Sequence, residues 1–305
     1  MKKITRLLGV LVVVVSASAF ISCGGDKHGL VKIKGGKLNP DMVSQMELKF
    51  SDIDAEAKES GELSFTVGDF YISKFEVTQK LFKEVLLSDL DANPDPAYFN
   101  KEPQDKEVQE LRPVERITWY DCLYFCNKLS EKEGLEPVYT IENIERYSKD
   151  KAIKRADVTV DFTKNGYRLP THAEWVYAAC GGAKAKKACK YSGSEDISEV
   201  AWHANNSDEM THQVGLKKPN ELGLYDMTGN VAEWCWDYFW SDEFENKNYD
   251  QYTGPEKGRY RYIKGGCFVE TASGVSFPYE IYKDLGGIQG LRYYNTGFRI
   301  ARNAK

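Results

Sequence analysis

The side chains able to do chemistry in this sequence are thiols, imidazoles and one carboxylate set among tryptophans. Beyond Cys23 there are six cysteines: Cys122, Cys126, Cys180, Cys189, Cys235 and Cys267. Cys122 and Cys126 stand four apart on one expected helix, where their Cβ vectors run parallel and direct pairing is disfavoured. Both read as small core side chains. Cys180 and Cys189 flank a lysine-rich loop that a bridge between them could close. No four soft ligands cluster at zinc-site spacing, and His28, His172, His203 and His212 are too scattered to define a metal site alone. Glu233 is the notable acid. Period-two alternation over Val231 to Trp236 puts Val231, Glu233 and Cys235 on one face and Ala232, Trp234 and Trp236 on the other. A carboxylate among such neighbours needs hydrogen bonds, a cation or a metal.

The stretch that must position these groups is Asn220 to Trp236. Asn220, Gly223, Gly229 and Asn230 mark turns or close backbone approaches. Leu222, Leu224, Tyr225, Met227, Trp234 and Trp236 make it a core segment folded on itself. Around it, Leu30 to Ile33 reads as a first strand and Leu63 to Ser73 as a second. Thr78 caps a helix through Leu87 with the stripe Leu81, Phe82, Val85 and Leu86. Asp89 to Gln109, holding Pro94, Pro96 and Pro103, is loop. A helix from Trp119 ends at Gly134. Pro137 to Ile141 is a short strand, Glu142 to Ala156 a solvated charged excursion, and Val158 to Phe162 an edge strand. Thr171 and Glu174 form a capping box for a third helix, stopped by Gly181-Gly182. Asp41 to Gly61 and Asp242 to Lys257 are polar loops. Tyr260 to Ile263 leads into Gly265-Gly266, and Leu291 to Ile300 is a closing strand. Short strands mixed with three helices, without strand–helix alternation, exclude a doubly wound sheet and give an irregular α+β domain.

The chain has 305 residues, 42% hydrophobic, 13% aromatic and 29% charged in mixed sign, enough for one large core. Its net charge is −5, and loss of a leader carrying Lys2, Lys3 and Arg6 would take it to −8. With no basic tract, nucleic-acid binding is not supported. Lys2, Lys3 and Arg6, apolar Leu7 to Val15, small Ser16 to Ala19 and then Cys23 resemble a bacterial lipoprotein signal. Residues 1–22 are then a signal peptide, and acylated Cys23 anchors the chain to a lipid bilayer. Residues 23–37 are the lipidated N-terminus and tether, and 38–305 a single domain. That implies an outer-membrane or cell-surface location, where disulfides are allowed. The absence of a coiled-coil heptad suggests a monomer.

The motifs Phe75-Glu76-Val77-Thr78, Arg112-Pro113-Val114 through Trp119, Gly166 to Thr171 and Glu174-Trp175 recur in a known order. Thr211-His212, Asn220 to Trp234, Gly265-Gly266 and Gly297-Phe298-Arg299 continue it. Together they resemble the formylglycine-generating enzyme and sulfatase-modifying factor superfamily over nearly the whole mature chain. The resemblance implies a C-type-lectin-like fold of short antiparallel strands. The family's enzyme oxidises a substrate cysteine with oxygen, using copper held between two cysteines, as soft thiolates suit Cu(I). Those positions fall on Glu270 and Val275, and neither supplies a thiolate. A rearranged Cys235–Cys267 pair is the remaining thiol alternative. Branches with non-haem iron need two histidines and an acid, whereas His172 and His212 fall in structural motifs and His203 lacks a partner. Family members also bind calcium around Gly229 to Glu233. Asn230 and Glu233 match that pattern, with Arg299 as the competing partner for Glu233. No other cofactor is implied.

A third branch comprises retroelement-diversified variable proteins, treponemal surface lipoproteins among them, in which the scaffold is kept and a C-terminal binding surface varies. Residues 267–294 correspond to that surface. The expected ligand-binding residues are Phe268, Glu270, Thr271, Ser273, Val275, Phe277, Tyr279, Tyr282, Asp284, Leu285, Tyr293 and Tyr294. Exposed rings would give contact area at low entropy cost, and the polar members specificity. The implied function is non-enzymatic recognition of an extracellular or host macromolecule, a protein. The alternatives are a metal-dependent oxidoreductase of the same superfamily and a carbohydrate-binding module.

Overall fold

The computed structural model describes residues 28–39, 42, 64–104, 106–185, 190–239, 248–249, 253–254, 258, 260–272 and 288–304. The first elements are β1 (Leu30–Ile33), β2 (Gly36–Lys37), β3 (Ser64–Val67), β4 (Phe70–Ser73), α1 (Gln79–Leu86) and α2 (Trp119–Lys132). A hairpin follows, β5 (Tyr139–Arg146) and β6 (Ile153–Val160), then β7 (Tyr167–Arg168), α3 (His172–Ala179) and the short α4 (Ile197–Val200). The last elements are β8 (Ala232–Phe239), β9 (Asn248–Tyr249), β10 (Tyr260–Lys264), β11 (Thr296–Gly297) and β12 (Ala301–Asn303). Among the described residues no helix is long and apolar enough to cross a membrane.

Each main helix starts on a threonine. Thr78 Oγ1 accepts from the Leu81 amide, and Thr118 with Asp121 and Thr171 with Glu174 form reciprocal capping boxes. α1 and α2 pack through Phe82 and Phe125, stacked at 5.2 Å, with Phe298 edge-on to both. Cys122 and Cys126 are buried free thiols in that core. A second core gathers Phe65, Phe70 and Ile72 from β3 and β4 around Trp175 and Val176 of α3, with Cys235 of β8. Both faces of β8 are therefore buried: Trp234 and Trp236 face the first core and Cys235 the second.

The sheets run β1-β4-β12-β7, β10-β8-β11, β2-β3-β9 and β5-β6. Most pairs are antiparallel, but β11 runs parallel to β8 and β3 parallel to β9. Three sequence expectations need correction, besides the expected loop Asp242 to Lys257, which contains the two-residue strand β9 paired with β3. The strand over Leu63 to Ser73 is two strands, broken where Asp69 turns to accept the Gly35 amide at 2.9 Å. The charged stretch 142–156 forms most of the β5–β6 hairpin, whose outer residues are solvated and so hide the alternation. The closing strand over Leu291 to Ile300 is instead β11 and β12, with Phe298, Arg299 and Ile300 turning through the core between them.

That turn carries the central polar contact. Arg299 donates from Nε to Glu233 Oε2 and from Nη2 to Oε1, both at 2.6 Å, with both residues 0% exposed. Trp175 Nε1 also donates to Glu233 at 2.8 Å. Arg299 further donates to the carbonyls of Ser73 and Tyr225, each at 3.0 Å. Glu76 and Asp226 are buried alongside; burial, reinforced by Asp226 and then Glu233, pushes Glu76 well up, and burial raises Asp226 to about 6. Breaking a buried pair from one side leaves an uncompensated charge, at a cost of roughly 3–5 kcal/mol. Arg299→Met should destabilise the fold by that amount in urea titration. A loss below about 1 kcal/mol would show that the acids do not depend on this guanidinium.

A candidate binding face at the C-terminal end

The face is built from the backbone outward. At Gly229 the chain runs so close to Trp202 that an added Cβ would sit 2.1 Å from its carbonyl oxygen, and φ is +78°. Only glycine fits there. Asn230 follows, also left-handed at φ 58°. Its side chain donates to Glu76 at 2.8 Å and accepts from the His212 amide at 2.9 Å. The Asn230 carbonyl then accepts the Phe268 amide at 2.9 Å. Ser207 Oγ donates to the Phe268 carbonyl at 2.8 Å, and the Ala204 amide to the Glu270 carbonyl at 2.9 Å. Residues 267–270 are thereby fastened to the organising stretch.

Residues 288–296 are fastened from another side. The Trp119 amide at the start of α2 donates to the Gln289 carbonyl at 3.0 Å, and Tyr147 Oη to that of Gly290 at 3.1 Å. Gly290 lies against Lys154, where a Cβ would come within 2.2 Å of the carbonyl oxygen. Arg292 pairs with Asp150 at the hairpin turn and covers the Tyr147 ring. The Arg116 amide donates to the Tyr293 carbonyl and the Ala232 amide to that of Asn295. Both segments thus rest on fixed parts of the scaffold.

Of the residues proposed from sequence, Ser273, Val275, Phe277, Tyr279, Tyr282, Asp284 and Leu285 lie outside the described residues, as do Cys23 and Cys189. Thr271 is exposed and Tyr293 half-buried. Tyr294 is 48% exposed. Phe268 corrects the expectation of a surface ring: it is 0% exposed, packed with Ala232 and Cys267 and edge-on to Phe99 at 5.1 Å. Its backbone is bonded on both sides, so its ring points into the core as an anchor. Glu270 is also buried, its Oε1 3.4 Å from Cys267 Sγ.

Beside this anchor opens a cavity of about 590 Å³. Tyr294, Val269 and Arg292 line it from the C-terminal segments, and Tyr98, Phe99, Arg116 and Glu209 from elsewhere. The ring centroids of Tyr98 and Tyr294 are 6.3 Å apart, and those of Phe268 and Tyr294 6.1 Å. Aromatic contacts therefore run from the buried anchor to Tyr98, which is 62% exposed. The four residues from elsewhere were not expected from sequence. Tyr98-Phe99 carried a signal, an aromatic pair inside a proline-rich loop; Arg116 and Glu209 carried none.

The thiols here are poor nucleophiles. Burial, with Glu270 second, pushes the Cys267 thiol well up, and burial does the same to Cys235. The two are free thiols in separate apolar clusters rather than a pair. The copper-binding arrangement does not fit, since a buried carboxylate stands at the position of one required thiol. His212 lies 2.7 Å from Glu107 and 2.8 Å from the Ser207 carbonyl, stacked on Trp202. Among the described residues no three His, Cys, Asp or Glu side chains group as metal ligands. For calcium at Asn230 and Glu233, the donor set does not fit either: the Glu233 oxygens hold Arg299 and Trp175, and Asn230 Oδ1 holds the His212 amide.

Fold and motifs together define a class: the chain belongs to the sulfatase-modifying factor enzyme 1-like domain family, whose model matches residues 22–304. Among solved structures it is similar to Treponema denticola variable protein 1, with a TM-score of 0.68 and 31% identity, covering 90% of this chain and 95% of that one. Chaperone protein LppX of Paenibacillus barcinonensis is 39% identical over 251 residues, 74% of this chain and 80% of that protein. The formylglycine-generating enzyme of Streptomyces coelicolor is 30% identical over 154 residues, 46% of this chain and 48% of that enzyme.

Behind the cavity lies Glu115, 0% exposed, whose Oε1 accepts the Phe99 amide at 2.9 Å and so holds the aromatic wall. Burial pushes its carboxyl up to about 7. Between its unfolded value, about 4.3, and its folded value it binds more protons folded than unfolded, so stability falls as pH rises through that window. Glu115→Gln keeps an acceptor and removes the titration. Its melting temperature relative to the parent should therefore climb from about pH 5 to about pH 7.5. Parallel curves would mean that Glu115 does not take up a proton on folding.

Proposed function

We propose that this chain is a non-enzymatic surface recognition lipoprotein whose C-terminal face binds a protein ligand. The observation that carries this reading is the division of the face into a fixed base and an exposed rim. Phe268 and the backbones of residues 267–270 and 288–296 are tied into the scaffold, while Tyr98, Tyr294, Val269 and Thr271 reach solvent. Rigid bases under exposed rings are what a binding surface needs, because little ordering remains to oppose association. The similarity to a treponemal variable protein supports the same reading, with diversification concentrated between the fixed ends. The replacement of one family thiol position by buried Glu270 speaks against formylglycine chemistry. Acylation at Cys23 would hold the domain on the outer membrane or cell surface.

The division makes a measurable forecast. Tyr98→Ala and Tyr294→Ala should each shift stability by about 0.5 kcal/mol or less, as surface changes do. Phe268→Ala should cost roughly 3–5 kcal/mol. A Tyr294→Ala loss as large as that of Phe268→Ala would make the rim part of the core and end the reading. Aldehyde formation on a cysteine-containing peptide supplied with oxygen and copper would end it independently. For the anchor, Cys23→Ser should move the protein from the detergent-rich to the aqueous phase and abolish labelling by radioactive palmitate; a labelled variant would refute acylation at that thiol. A near-copy of the last coding segment downstream, differing at adenines and beside a reverse transcriptase, is the genomic mark the diversified form requires.

A further inference from the structure

The cavity beside Tyr294 holds an uneven set of charges. Arg292 is neutralised by Asp150 and covered by Tyr147. Arg116 is exposed, and among the described residues its guanidinium has neither an ion pair nor a hydrogen bond. Glu115, its neighbour, is turned inward to the Phe99 amide. Glu209 stands on the rim as the one carboxylate among the lining residues. Arg116 and Glu209 both have left-handed backbones, at φ 60° and 57°, which residues with a Cβ seldom adopt. At Arg116 that conformation is held by the amide's bond to the Tyr293 carbonyl. The side chain therefore leaves from a fixed point on the lining it shares with Tyr98, Phe99 and Tyr294.

Resting on the binding reading above, we propose that this cavity receives an acidic side chain of the protein ligand. Its carboxylate meets Arg116, and an adjacent apolar or aromatic side chain lies on Tyr98 and Tyr294. The chemistry selects this occupant. A guanidinium offers two parallel N–H groups that match a carboxylate, and partial enclosure by rings strengthens the pair. Tyrosine walls receive an apolar neighbour with little loss of rotamer freedom. Glu209 repels a second acid and so fixes the register of the first. It also disfavours a polyanion such as nucleic acid, as does the net charge of −5.

The test pans a random peptide library on phage against the immobilised, correctly folded chain, with R116G, R116E and Y294A in parallel. Synthetic versions of the enriched peptides are then titrated in solution. R116G removes the guanidinium while accepting the left-handed backbone, so its melting temperature should equal or exceed that of the parent. The expected result is enrichment of Asp or Glu beside an aromatic residue, at least about tenfold weaker binding of those peptides to R116G, and a shift toward Lys or Arg with R116E. Peptides that bind the parent and R116G equally, yet are weakened by Y294A, would overturn the acidic-ligand assignment and leave the binding face standing. Failure to recover any peptide that depends on Tyr294 would overturn both.

Discussion

One buried ion pair, Arg299 to Glu233, governs how this molecule is put together. Glu233 lies on β8, and Arg299 on the connection between β11 and β12. Through its remaining hydrogens the same guanidinium holds the end of β4 and the bend at Tyr225. Trp175 of α3 closes the ring from the second core. A charge this deep is tolerable only when every hydrogen finds an oxygen, and here each contact belongs to a different part of the chain. The pair acts less as a source of net stability than as a register mark that admits one arrangement of the C-terminal turn.

From that mark the face follows. Asn230 stands three residues before Glu233, pinned by Glu76 and His212, and passes the constraint to Phe268 through its carbonyl. On the other side the hairpin turn and the start of α2 grip residues 289–293. In the family's oxidising members the neighbourhood of Glu270 supplies thiols. Here it supplies a buried carboxylate beside a thiol whose pKa burial has pushed up.

Local signals made the helices and the first strand legible. Thr78 and Thr171 announce their caps, Gly134 follows the end of α2, and the mostly apolar run Leu30 to Ile33, followed by Gly35-Gly36, is a strand. Arg299 could be named as a partner for Glu233 because a buried carboxylate must have one. What stayed hidden was set by distance or by solvent. Alternation fails in β5 and β6 because most of their residues are wet on both sides. Phe268 looks like any ring near a binding loop until the hydrogen bonds on both sides of it are counted. Tyr98, Arg116 and Glu209 join the face only through long-range folding, and no spacing in the sequence couples them to Tyr294.

The strand β12 lies inside its sheet, between β4 and β7, and begins two residues after Arg299. A translation product that stops early, or that slips frame anywhere upstream of Arg299, leaves that slot empty and three buried acids without their cation. The scaffold thus proofreads its own message. A chain that loses Arg299 is thereby registered as one that cannot close its core.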